Sequence, residues 1–142
     1  MKFLFIYLLL VGGFANINFK QLEGLNQQVG QSCQANSDFQ VSGFNVSPWP
    51  LTKGVRFTIT MSGTFLHNTE VSTEYILIEF NNKRNQTIID VKAKYNQGDY
   101  ESFVINDNAG SVSGVYSYAV GLHWNKILYD VVLACWRFTY QI

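Results

Sequence analysis

Phe44-Asn45-Val46-Ser47-Pro48-Trp49-Pro50-Leu51-Thr52-Lys53-Gly54-Val55-Arg56-Phe57-Thr58-Ile59-Thr60-Met61 is the stretch whose reading decides the fold. Val55, Phe57, Ile59 and Met61 alternate with Arg56, Thr58, Thr60 and Ser62. A period of two places one set on an apolar interior and the other in water, which is the pattern of a half-buried strand. Pro48 and Pro50 exclude helix from the approach to it and stiffen a corner. Lys53-Gly54 then supplies the turn into the strand. Such a strand forms one wall of a two-layered sheet structure, and the rest of the chain must supply the other walls.

The same alternation recurs on both sides. Before the corner, Phe39 and Val41, then Phe44 and Val46, are separated by Ser42-Gly43, where a glycine suggests a bulge or turn. After the strand, Ser62-Gly63 reads as a break, with Thr64-Phe65-Leu66 running on to a polar turn at His67–Glu70. Tyr75–Phe80 alternates again; Glu79 assigns Tyr75 and Leu77 to the outer face, leaving Ile76, Ile78 and Phe80 inward. Residues 81–86 are hydrophilic and read as a hairpin tip, followed by a strand from Thr87 to Tyr95. Residues 96–114 have loop composition around a short apolar segment, Phe103-Val104-Ile105. Tyr116, Tyr118, Val120, Leu122 and Trp124 then share one parity, and Trp136, Phe138, Tyr140 and Ile142 share another after a turn at Asn125-Lys126. Six or seven strands without a helix-period window predict an all-β, immunoglobulin-like sandwich of two antiparallel sheets.

The ends of the chain bear on compartment. Met1-Lys2, the apolar run Phe3–Val11 and the small residues around Ala15 have the layout of a secretory signal peptide, residues 1–15. The run is too short to span a bilayer, which needs about 20 residues. Asn16–Ser32 is polar and weakly periodic and reads as a leader, so the domain is expected over residues 33–142. Two cysteines in a secreted chain allow one pairing, Cys33 with Cys135, across 102 positions. Closing a loop of that length stabilises by about 4–5 kcal/mol in the chain-entropy model.

Charge and composition exclude several functions. The chain carries 10 basic and 10 acidic residues among 142, and only 14% of it is charged. No basic run interleaves with aromatics, so nucleic acid is not an expected partner. Catalysis is not expected either. His67 and His123 stand apart from each other, Gly110–Gly114 has Val112 where a nucleophile would be, and Asp99, Glu101 and Asp107 read as solvated loop acids. No cofactor or metal follows from these residues. Asn85-Gln86-Thr87 is an N-glycosylation sequon; Asn45-Val46-Ser47 is a second, weakened by Pro48. What accumulates is inward apolar surface, more than a small sandwich needs to close. A ligand cavity and an ordinary packed core are both compatible with it.

Two motifs carry a resemblance. Asn45–Pro50 with Leu51-Thr52-Lys53-Gly54 is similar to the "NVSPCP…LxKG" corner of the ML (lipid-recognition) domain family, in particular its Niemann–Pick type C branch of secreted sterol carriers. His123-Trp124 and Leu133–Ile142 are similar to that family's closing "EW…FCWEIPVQI". The resemblance spans Cys33–Ile142 and agrees with the disulfide inferred by counting. It departs at Trp49, which stands where the family has a cysteine, so that two of the usual three bridges are absent. It implies an apolar cavity between the sheets for a sterol, phospholipid or fatty acid, with a membrane or membrane receptor as recipient and a monomeric, non-enzymatic carrier. Carried over by position, Phe57, Ile59, Val120, Leu122, Trp124, Trp136 and Phe138 line the cavity and Tyr116 and Tyr118 stand near its mouth; Met61, Ile76, Ile78 and Phe80 join them by inward parity.

Overall fold

The computed structural model describes residues 29–142. The expected signal peptide and most of the expected leader lie outside the described residues. Eight strands follow one another: β1 (Gln31–Ser32), β2 (Phe39–Ser47), β3 (Arg56–Phe65), β4 (Thr69–Phe80), β5 (Lys83–Tyr95), β6 (Tyr100–Asn108), β7 (Val115–Asn125) and β8 (Asp130–Gln141). They form a five-stranded sheet in the order β1-β8-β7-β4-β5 and a three-stranded sheet in the order β2-β3-β6, with every pairing antiparallel. The fold is a β-sandwich, as the alternation predicts. Gln31 and Ser32, expected in the leader, already pair with Arg137 and Trp136 of β8.

The decisive strand matches its pattern. Phe57, Ile59 and Met61 are buried and the intervening residues lie toward solvent. No break occurs at Gly63, however. The strand runs through to Phe65, and a methyl group at Gly63 would collide with the carbonyl of Gln40 and the ring of Phe39. The glycine marks a close approach of β2. The corner is held without a covalent link: Leu51 is buried, Trp49 packs edge-on against Phe138 at 6.0 Å, and Gly54 turns with φ of 67°. Both Ser47–Pro48 and Trp49–Pro50 are cis.

Register shifts reset which residues face inward. The one expected at Ser42-Gly43 lies between Val41 and Gly43 of β2. Two others are not legible in the sequence. In β5 an extra residue accompanies Lys92, whose φ is 53°, and in β8 Leu133 and Ala134 are both fully buried beside a shift at Leu122/His123. In β4 the buried parity passes from Thr69 and Val71 to Glu74 and Ile76.

Three expected boundaries move. The hairpin between β4 and β5 is only Asn81-Asn82, with φ of 49° and 58°, because a two-residue turn with positive φ matches the twist of the flanking strands. Asn85 is therefore not at a tip; it lies exposed within β5, opposite Ile78. Residues 100–108, expected as loop around Phe103–Ile105, form the whole of β6. Phe103 and Ile105 are buried while Ser102, Val104 and Asn106 lie exposed, and Asn106 accepts a 2.8 Å bond from Thr58. Finally, the turn expected at Asn125-Lys126 spans residues 126–129, and β8 begins at Asp130.

Cys33 and Cys135 are bridged, with Cα atoms 5.2 Å apart, and the Cys33 amide donates to the Cys135 carbonyl at 3.0 Å. The bridge ties the start of the domain to β8, as the cysteine count predicts. The five-stranded sheet is wider than the one it faces. Lys83–Asp90 of β5 consequently lie exposed along their whole length.

Candidate functional site

The residues expected to line a cavity are brought together on one inter-sheet layer. Phe57, Ile59 and Met61 of β3 face it from one side; Ile76 of β4, Tyr118, Val120 and Leu122 of β7, and Trp136 and Phe138 of β8 face it from the other, all buried. Ile78 and Phe80 are half-buried where β4 reaches the overhang, and Trp124 is half-buried beneath the ammonium of Lys126, 4.0 Å from its ring centre. Ring contacts bind the layer together. Phe57 meets Tyr118 edge-on at 5.7 Å, Tyr118 stacks on Phe138 at 5.2 Å, and Phe44 stacks on Trp136 at 5.5 Å. Such pairs contribute about 0.5–1.5 kcal/mol each beyond area burial.

The tyrosines expected near a mouth are not at a rim. Tyr118 is fully buried and donates to Asp107 at 2.7 Å. Burial first, then that hydrogen bond, pushes its phenol up, so it stays protonated as a donor. Tyr116 donates to the Val112 carbonyl at 2.8 Å and stacks between Phe80 and Tyr140, 4.2 and 5.1 Å away. A cleft lies elsewhere. About 570 Å³ in volume, it runs between β2 and β8, walled by Gln40 and Val41 on one sheet and Val132 on the other, with residues 34–38 as its lip. Trp136 stands within it. The same indole reaches the interior through Phe44 and is fixed by donating to the Val29 carbonyl at 2.8 Å. The lip is held by Gln34, whose amide donates to Asn36, Ser37 and Val132.

Three features of the layer are not reached from the sequence. Phe44 carries the inward parity of its strand without any sign that it bridges Trp136 and Phe138. Asp107, with the composition of a solvated loop acid, instead accepts from a buried phenol. Glu74 pairs in register with Leu122 and is buried among apolar side chains, and desolvation raises its carboxyl above the ordinary range. The alternation beginning at Tyr75 places even-numbered residues inward, and one more step back reaches Glu74.

Among the described residues the loop acids and the histidines make local contacts. Asp99 caps the turn at Asn96 and Glu101 bonds the next amide, while His67 meets Asp38 at 3.1 Å and His123 meets Asp130 at 2.5 Å. Among the described residues no group of three His, Cys, Asp or Glu could hold a metal ion, and no helix is long and apolar enough to cross a membrane.

Fold and layer together define a disulfide-bonded, all-β sandwich with an aromatic interlayer. Among solved structures the chain is similar to the C-terminal domain of wzt, with a TM-score of 0.67 and 12% identity over 81% of each chain. At that identity the likeness is one of fold. No family model and no curated protein matches the sequence.

Proposed function

We propose that the protein is a secreted, non-catalytic lipid carrier that takes a sterol or an acyl chain between its two sheets. The observation that carries this reading is the cleft between β2 and β8, whose lining includes Trp136, an indole that also stacks on Phe44 of the aromatic layer. In this reading the packed rings are the closed state, and Phe44 and Trp136 turn aside to admit ligand. Apolar transfer supplies the drive at about 25 cal/mol per Å² buried. The Tyr118–Asp107 pair, its phenol buried and its carboxylate half-buried, and Glu74 are the polar groups on the layer able to meet a hydroxyl or carboxyl. The disulfide is compatible with an oxidising compartment. Secretion, glycosylation of Asn85, action as a monomer and hand-off to a membrane or membrane receptor belong to the same reading, as does the likeness to ML domains at both ends of the chain.

Purified oxidised protein, stripped of lipid and titrated with a fluorescent sterol and a fluorescent fatty acid, tests it. Saturable uptake of either, weakened by Leu122→Trp, is the expected result; uptake of neither by folded protein overturns it. The mutual contact of the interior rings favours a second reading, a recognition module that works through its exterior with a solid core. That module would take up neither probe.

A further inference from the structure

The hairpin joining β7 to β8 ends in Lys126-Ile127-Leu128-Tyr129, closed by a 2.9 Å bond from the Lys126 amide to the Tyr129 carbonyl. Ile127 is 102% exposed, Leu128 90% and Tyr129 58%. Three consecutive large apolar residues thus project into water, at a place where the sandwich needs none of them for its core. Single exposed apolar residues are ordinary on protein surfaces, but a run at a loop tip is a docking feature.

We propose that this tip inserts into the surface of an uncharged lipid bilayer. The tip is layered as a bilayer interface is layered. Its aliphatic residues are outermost. Behind them, Lys126 lies 4.0 Å from the ring centre of Trp124 and 5.2 Å from that of Tyr129, and its ammonium is 3.3 Å from the Tyr129 hydroxyl. Aliphatic side chains prefer the acyl region, whereas Trp, Tyr and the ends of Lys side chains prefer the headgroup level. Charge selects a neutral surface: Lys126 is the one cation of the tip, and Asp130, bonded to His123, follows it directly. A protein partner is the poorer occupant, because stable interfaces bury about 800 Å² on each side, more than a four-residue tip presents. The tip also shares its end of the sandwich with Leu66, Val132 and the cleft.

This inference does not depend on the carrier reading. The test is cosedimentation of the oxidised chain with phosphatidylcholine vesicles at physiological salt. Wild type pellets with the vesicles, and Ile127→Ser combined with Leu128→Ser lowers the partition coefficient about tenfold or more, given the apolar area removed. Replacing a third of the lipid by phosphatidylserine changes binding by no more than about fivefold, the share of a single lysine. Ile127→Trp adds indole fluorescence that brominated acyl chains quench beyond the wild-type level. Absence of wild-type pelleting, equal pelleting of the double variant, or quenching of Ile127→Trp no greater than that of wild type overturns the proposal. Self-association that the double variant abolishes, without vesicle binding, replaces it with a dimer contact. Fluorescent-sterol uptake from solution, measured on the double variant, stays at the wild-type level and reports on the carrier reading alone.

Discussion

Glu74 shares its face with Leu122 and Ile76, and burial alone raises its carboxyl above the ordinary value of 4.5. The folded protein therefore holds a proton there that the unfolded chain has already released, so the contribution of Glu74 is fully present below pH 4.5 and is lost as pH rises through the folded value. Urea midpoints measured upward from pH 4.5 are expected to fall for wild type and to fall less steeply for Glu74→Gln. A second residue, Gly63, is required by close approach. Gly63→Ala is expected to destabilise by about 2 kcal/mol in the same assay, as overpacked cores do. The two residues differ in legibility from those around them. Counting alone pairs Cys33 with Cys135, and alternation alone buries Phe57, Ile59 and Met61. The buried state of Glu74 depends on where β4 exchanges one inward parity for the other, and side-chain type argues against it. Gly63 reads as a break because a glycine demanded by a neighbouring strand is spelled the same way as one at a turn.

Elements are legible wherever one face meets the core and the other meets water. That condition holds for β2, β3, β7 and β8, whose strands follow from the pattern with small errors at the ends. It fails for the first half of β5, which is exposed on both faces, so Lys83–Gln86 carry a loop's composition while forming a strand. It is masked in β6, where Asn106, Asp107 and Asn108 are polar for separate reasons: a bond to Thr58, a bond from Tyr118 and a strand end. The turn between β4 and β5 yields a prediction of its own. Asn82 has a φ of 58°, and glycine is favoured at the second position of such a turn, so Asn82→Gly is expected to stabilise by about 0.5 kcal/mol in urea titration. At the other end, removing both cysteines as Cys33→Ser and Cys135→Ser frees β1 and the lip of the cleft. A loss of about 2–5 kcal/mol is expected, read from the same titration.

For the whole molecule, the sandwich is legible because its strands repeat one simple signal. The cleft between β2 and β8 is not, because it brings together residues from different strands whose adjacency appears only after register is set. Val41 of β2 and Val132 of β8 are two such residues. Parity nominates the interlayer well, yet it cannot separate rings that touch one another from rings that await a guest. The unequal widths of the two sheets also order the molecule in time. Backbone amides in β3 and β7 have strands on both sides and a second sheet above them, whereas those of β5 have a partner on one side only and, from Lys83 to Asp90, no cover. Local opening is easiest where buried contacts are fewest. Deuterium should enter β5 within the earliest interval and β3 and β7 last, so that the exchange clock runs inward across the sheet from its uncovered edge.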